Sequence, residues 1–284
     1  MIPLPFEYDR AATLEEAVAK LAAANGSARL LAGGHSLVPL MKLRLAQPAR
    51  LIDISHIPGF SGIREKDGRI DIGAGTVHHD VASSELLRQR CPAIADAAAA
   101  IGDLQVRNRG TLGGSLAHAD PAADYPAAML AVDAEMHILG PGGWRTVKAD
   151  RFFRDLFTVD LAADEILARV QFNPVRASAY SKLYQRASHF AIVGVAAALE
   201  VRNGAIHAAR VGITGAGPSA VRLARVEQAL AGQPPSKDAC AAAAEHAGAE
   251  LSAVNTDIHA SEQYRRAMIA VFTRRALEGA IARI

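Results

Sequence analysis

Two glycine-centred turns constrain this chain more than any other feature: Ala32-Gly33-Gly34-His35-Ser36 and Gly110-Thr111-Leu112-Gly113-Gly114-Ser115. Paired glycines permit positive φ and leave backbone amides uncovered, so consecutive N–H groups can converge on an anion. The hydroxyls of Ser36, Thr111 and Ser115 stand at matching places as further donors. A single glycine pair would signal only a tight turn. Two of them, each with hydroxyls, suit a pyrophosphate. Neither turn is a GxGxxG dinucleotide fingerprint or a GxxxxGK(S/T) phosphate loop, so the usual nicotinamide and nucleotide-hydrolysis readings lack their motifs.

The segments around these turns predict an α+β protein. Thr13 and Glu16 have capping-box spacing and open a helix over 14–24, which Asn25-Gly26 closes. A short apolar run over 29–32 leads into the first glycine turn, a helix over 37–45 follows, and 51–54 reads as a strand, giving a small β-α-β-type lobe that ends near His56. Asp67-Gly68 and Gly140-Pro141-Gly142-Gly143 each sit between strand-like runs as hairpin turns. Helices are predicted over 79–90 and 93–101 around Cys91-Pro92, and a strand over 166–172. Asn173-Pro174 marks a boundary, because a residue before proline is pushed out of helical conformation. Beyond it, 195–201 and 206–213 flank Asn203-Gly204 as a hairpin, and helices are predicted over 220–231, 237–250 and 262–282. The expected division is thus 1–175, in lobes of about 1–56 and 57–175, followed by 176–284.

Composition narrows the function. The 284 residues carry 31 basic and 29 acidic side chains, too even a balance for nucleic-acid binding. Sixty alanines predict closely packed helices. Apolar runs such as 190–199 fall short of the ~20 residues that span a bilayer. The opening segment has Pro3, Pro5, Glu7 and Asp9 where a signal peptide needs a basic start and an apolar core, so a cytoplasmic protein is expected. Cys91 and Cys240 are too few for a disulfide framework or a cysteine-rich metal site. Adjacent His78 and His79 lack metalloprotease spacing and read as a loop before a helix. Arg265, Arg266, Arg274, Arg275 and Arg283 read as a solvated helix face, with docking to a partner as the sharper alternative.

Four segments carry a family resemblance across essentially the whole chain: AGGHSLVPLMKLRL (32–45), VRNRGTLGGSLAHADPAAD (106–124), YSKLYQRASHFAIVGVAAAL (180–199) and YRRAMIAVFTRRAL (264–277). With these, the chain resembles the flavoprotein (medium) subunit of the molybdenum hydroxylases, the group that includes carbon monoxide dehydrogenase, xanthine dehydrogenase and related aldehyde or N-heterocycle dehydrogenases. The resemblance implies a two-lobed FAD-binding fold of the vanillyl-alcohol oxidase-like type. A C-terminal α+β domain with an antiparallel sheet and a helical bundle would follow it.

It also implies a cofactor site. Leu30, Leu31, Ala32, Gly33, Gly34, His35, Ser36 and Leu37 would meet FAD together with Gly110, Thr111, Gly113, Gly114 and Ser115. Segments 32–36 and 111–115 would wrap the pyrophosphate. Ile101, Gly102, Ala117, His118 and Asp120 would lie along the cofactor, Asp124 would bond its ribityl or ring end, and Tyr184 would approach the flavin with Lys182 in the same strand. The implied reaction is electron transfer: a large molybdenum-binding subunit hydroxylates substrate, a small subunit relays electrons through two 2Fe–2S clusters, and this chain's FAD passes them to an acceptor. A dimer of heterotrimers is the implied assembly. One cluster needs about four cysteine ligands, so this chain cannot hold one, and the resemblance implies that molybdenum cofactor and clusters are on the partner subunits only.

The family pattern breaks at His189, where many relatives have Asp after Arg-Ala-Ser, and at Gln185, where a basic residue is frequent. Two other functions stay open at this point. Gly33-Gly34-His35 resembles the segment that carries histidine-linked FAD in self-contained oxidases, although Leu31 replaces the arginine usual there. A cofactor-free assembly protein on the same fold is the other.

Overall fold

A computed structural model describes residues 2–284. The N-terminal lobe comprises β1 (Glu7–Arg10), α1 (Leu14–Ala23), β2 (Ala28–Leu31), α2 (Leu37–Lys42) and β3 (Arg50–Asp53). Its sheet is parallel throughout, in the order β1-β3-β2. Parallel neighbours need a crossover: α2 lies in the one between β2 and β3, and α1 joins β1 to β2 across the sheet. The Thr13 hydroxyl accepts from Glu16 N–H at 3.1 Å, and the Glu16 carboxylate reaches back to Ala12 N–H at 2.7 Å. Ala17, Val18 and Leu21 of α1 are its buried stripe.

The second lobe runs through β4 (Ile63–Lys66), β5 (Arg69–Gly73), α3 (His78–Ser83), α4 (Glu85–Arg90), α5 (Pro92–Ala99), α6 (Leu104–Arg107), α7 (Leu112–His118) and α8 (Tyr125–Ala131). It continues with β6 (Glu135–Gly140), β7 (Gly143–Lys148), α9 (Ala149–Phe152), β8 (Phe153–Asp155), β9 (Thr158–Val159) and β10 (Ile166–Phe172). Its main sheet is antiparallel, in the order β4-β5-β10-β6-β7, and β8-β9 is a separate hairpin. Asp67 and Gly68 both take positive φ (52° and 75°), the type I′ geometry that matches strand twist.

The C-terminal region holds β11 (Ser178–Tyr184), β12 (Ala191–Arg202), β13 (Ala205–Thr214), β14 (Val221–Arg222), α10 (Ala224–Leu230), α11 (Lys237–Ala244), α12 (Ala247–Glu250) and α13 (Glu262–Ile281). Strands β11-β12-β13-β14 form an antiparallel sheet with α5 and α8 against one side and α13 against the other. Strand periodicity sorts β12 between two cores: Ala196 and Ala198 join the core of the first two lobes, while Val193, Val195, Ala197 and Leu199 join the C-terminal one. Only small side chains stand where β12 meets the alanine-rich helices. That is where the alanine surplus is spent.

The structure corrects several sequence expectations. One helix over 79–90 is two, because Ser84 takes an extended conformation (φ −61°, ψ 115°) and caps α4 through Leu87 N–H at 3.3 Å. The helix over 37–45 ends at Lys42, since Arg44 turns left-handed at φ 59°. Segment 220–231 begins as a strand, and 237–250 breaks between α11 and α12. In α13 the buried stripe is Arg265, Ile269, Phe272, Thr273, Ala276, Leu277 and Ala280, whereas Tyr264 faces outward.

Arg265 is therefore no part of a solvated face. It is 3% exposed and donates to Ile192 O and Gly215 O at 2.6 and 3.0 Å. Arg283 reaches across to Asp96 at 2.6 Å, joining α13 to α5. Arg274 and Arg275 remain exposed. The two cysteines lie in separate cores, and burial pushes Cys91 up to about 12 and Cys240 up to about 11.

Ser84→Ala should cost about 1 kcal/mol by removing the α4 cap. A lowered urea midpoint at unchanged slope checks this, and an unchanged midpoint would mean that the hydroxyl does not start α4.

Candidate functional site

A cleft of about 720 Å³ runs between the two N-terminal lobes and is closed at one end by the C-terminal region. That volume lies within the range of about 300–1,000 Å³ typical of small-molecule sites. The cleft exists because the glycine turns meet. A Cβ at Gly33 would overlap the Arg109 carbonyl oxygen and come within 2.8 Å of Gly110 Cα, so only glycine allows the approach. The N-terminal lobe thereby brings its turn against the one that opens α7.

The two turns are chemically unlike. In the first, the amides of residues 33–37 donate to no acceptor among the described residues, and Gly34 sits at φ 72°. In the second, the amides are already engaged: Leu112 N–H binds Thr76 O at 2.9 Å, Gly113 N–H binds Ala74 O at 2.8 Å, and Gly114 N–H binds the Thr111 hydroxyl at 3.1 Å. Gly113 is small for a packing reason, since a Cβ there would strike Ala74. Symmetric amide cradles, as the sequence suggests, are thus not what forms. The first turn offers amides; the second offers its Ser115 hydroxyl and an exposed backbone at Gly114.

Leu30, Ala32, Gly33, Gly34, His35, Ser36 and Leu37 line the cleft, as do Ile101, Gly102, Gly110, Thr111, Gly113, Gly114, Ser115, Ala117, His118, Asp120 and Asp124. Leu31, Lys182 and Tyr184 do not. Leu31 continues the β2 ladder. Lys182 is a junction, its Nζ bonded to Ala100 O at 2.6 Å, to His189 O at 2.7 Å and to Asp124 Oδ1 at 2.8 Å. Tyr184 is half exposed, with its ring edge-on to His189 at 5.3 Å. His189 itself sits at φ 60° and turns a ring nitrogen toward Gly102 O at 3.2 Å. Asp and His are both among the types that tolerate a left-handed backbone, which gives the departure from Asp a conformational basis.

Every carboxylate in the cleft is already engaged. Asp120 accepts from Ala122 N–H at 2.8 Å, Glu165 grips Arg145 at 2.6 Å, and Asp124 takes the Tyr180 hydroxyl at 2.6 Å as well as Lys182. Burial raises the Asp124 pKa, while Lys182 and Tyr180 pull against it. Arg29, the basic side chain of the lining, bonds the carbonyls of Gly26 and Ala28. An anion entering here would meet amides and hydroxyls. No lysine or free carboxylate competes.

Sequence reasoning missed several parts of the lining, two of which bear on its chemistry. Leu161-Ala162-Ala163 and Glu165 reach the cleft from the loop before β10, where no pattern marks them. His78 is the other. It is the first residue of α3, not a loop residue, and is 4% exposed; its amide donates to Gly110 O at 2.9 Å and its Nδ1 faces the Tyr125 hydroxyl at 3.2 Å. Burial pushes its imidazole down to about 4, with His35 and Arg107 adding in the same direction. Among the described residues no group of three or more His, Cys, Asp or Glu is placed to hold a metal, and no helix is long and apolar enough to cross a membrane.

Comparison with known proteins decides the family. Residues 4–174 match the FAD binding domain in molybdopterin dehydrogenase, and residues 178–280 match the CO dehydrogenase flavoprotein C-terminal domain. The chain belongs to the FAD-binding medium subunits of the molybdenum hydroxylases. It is 40% identical over 286 residues to the carbon monoxide dehydrogenase medium chain of Hydrogenophaga pseudoflava, covering 100% of this chain and 99% of that one. It is 36% identical over 287 residues to the 6-hydroxypseudooxynicotine dehydrogenase complex subunit alpha of Paenarthrobacter nicotinovorans, covering 100% and 97%. A solved structure of carbon monoxide dehydrogenase from Hydrogenophaga pseudoflava, lacking the Mo-pyranopterin moiety of its cofactor, superimposes with a TM-score of 0.95 at 41% identity, covering 100% of this chain and 99% of that chain. FAD is therefore the group against which this medium subunit's cleft is to be judged. The free amides of 33–37 and the engaged carboxylates fit a diphosphate, and the apolar lining fits aromatic rings.

His78 generates a pH prediction. Its folded pKa lies below the ordinary 6.5, so the unfolded chain binds the proton first as pH falls. Stability should be full above about 6.5 and decline toward pH 4, by up to about 3 kcal/mol. Urea midpoints of the wild type should fall from pH 7.5 to pH 5, and His78→Asn should flatten the slope. Equal slopes would mean that His78 is not held neutral.

Proposed function

We propose that this chain binds FAD without a covalent bond and serves as the electron-transfer subunit of a heteromeric molybdenum-containing dehydrogenase. Electrons would arrive from 2Fe–2S clusters on a small partner subunit, fed by a large molybdenum-binding subunit, and leave to an external acceptor. The observation that carries the FAD reading is the run of unpaired amides at 33–37 inside a cleft whose carboxylates are all engaged. The partner reading rests on the relatives, which are named as a medium chain, a complex subunit and an FAD-binding subunit of dehydrogenases. With two cysteines in separate cores, this chain has no ligand set for a cluster of its own. A dimer of heterotrimers in the cytoplasm is the assembly we favour, the free thiols of Cys91 and Cys240 agreeing with a reducing compartment.

We divide the chain at residue 175. Lobes 1–56 and 57–175 would form the vanillyl-alcohol oxidase-like FAD fold, a reading that the parallel and antiparallel sheets flanking one cleft support. Residues 176–284 would complete the site and meet partners.

Each part of the lining has a task. Amides 33–37 and the Ser36 and Ser115 hydroxyls would bind the pyrophosphate. Gly33 would set the two turns at the spacing it needs by its approach to Arg109 and Gly110, and the exposed backbone at Gly114 would admit it. Ile101, Gly102 and Ala117 would lie along the cofactor, and Asp124, held by Lys182 at 2.8 Å, would accept from its hydroxyl or ring N–H groups. Tyr184 and His189 would stand at the mouth. The flavin supplies the redox chemistry when bound; the protein orients it and supplies no acid, base or nucleophile.

Purified protein should be yellow, and acid denaturation should release all of the colour into solution. Colour retained on the polypeptide would establish a histidine link, and a colourless protein that cannot take up FAD would remove the proposal. Gly114→Val should lower bound FAD at least tenfold while far-ultraviolet circular dichroism stays native, because a Cβ at Gly114 has the Thr111 hydroxyl at 2.8 Å as its one close neighbour. Undiminished flavin content would show that the second turn does not approach the phosphates.

A further inference from the structure

The cleft wall between α7 and α8 is the turn 119–124, and its own lobe does little to hold it. Ala119 is left-handed at φ 48°. Within the turn, Ala123 N–H bonds Asp120 O at 2.9 Å and Ala122 N–H bonds the Asp120 carboxylate at 2.8 Å. The next three carbonyls are all taken by the C-terminal sheet. Pro121 O accepts from Gly215 N–H at 2.7 Å and from the Thr214 hydroxyl at 2.9 Å. Ala122 O accepts from Ala191 N–H at 3.2 Å, and Ala123 O from the Thr214 hydroxyl at 2.8 Å. Tyr180 and Lys182, again from that sheet, hold Asp124.

Thr214 is 1% exposed and has one proton to share between two carbonyls two residues apart, so its oxygen fixes their spacing. Its mount is rigid. Arg265 donates from behind to Gly215 O and Ile192 O, bracing the ends of β13 and β12 from which Thr214 and Ala191 act. Asp257 in turn holds the guanidinium at 2.5 Å.

We infer that Thr214 is a positioning residue for FAD: from outside the cleft, it sets the 120–124 wall at the spacing that the cofactor needs, so the C-terminal domain shapes the cofactor site. The inference rests on reading the cleft as the FAD site. Valine matches threonine in shape but has no proton to give. It would leave Ala123 O buried without a donor, free the wall to move, and weaken cofactor binding. Serine keeps the proton.

The test uses the full chain stripped of flavin and titrated with FAD, with quenching of flavin fluorescence as the readout and apoprotein melting measured in parallel. T214V and T214A should raise Kd on the order of tenfold and alter the visible circular dichroism of the bound flavin, whereas T214S stays near wild type. A wild-type Kd and an unshifted flavin signal in T214V or T214A overturn the inference, even if melting falls. So does failure of both variants to fold while T214S folds, since Thr214 would then serve folding alone. Failure of the wild type to take up FAD would instead remove the reading of the cleft itself.

Discussion

The contact between Gly33 and the Arg109–Gly110 backbone is the constraint on which the rest of the structure depends. It joins two lobes whose sheets differ in kind, one parallel and one antiparallel, through backbone atoms alone. Everything useful about the cleft follows from that closeness. The first turn leaves its amides without an acceptor among the described residues. The second turn can bond its amides to Thr76 and Ala74 because its anchoring lies in its own lobe.

Unpaired donors are a cost to a folded protein, and here the cost is confined. In the cleft, the 33–37 amides have no acceptor among the described residues, whereas the neighbouring carboxylates and the one lining arginine are all engaged. A site of this kind binds anions through backbone dipoles rather than through mobile side-chain charge. His78 belongs to the same design. It is buried and neutral beneath the second turn, and so adds packing and a hydrogen bond without adding charge beside the cofactor.

The fold was legible in the sequence wherever local chemistry decides it. Thr13 with Glu16, Asp67-Gly68 and Asn203-Gly204 each specify a cap or turn within a few residues, and each forms as expected. Legibility failed where long-range contacts overrule a local pattern. Ser84 is a local exception: within a run of good helical periodicity, its hydroxyl caps a second helix at Leu87. Arg265 looks like surface charge in a segment rich in arginine, yet carbonyls of strand ends far away in sequence capture it. The site was legible in part for the same reason: glycine turns announce themselves, whereas Leu161-Ala162-Ala163 and the amides already bonded in the second turn depend on neighbours that no spacing reveals.

The buried cysteines carry a last consequence. The thiolate is the form that oxidises, and with their pKa values pushed up to about 12 and about 11 neither Cys91 nor Cys240 ionises appreciably at neutral pH. A member of the FAD-binding medium-subunit family thus holds both of its thiols in the form least open to oxidation.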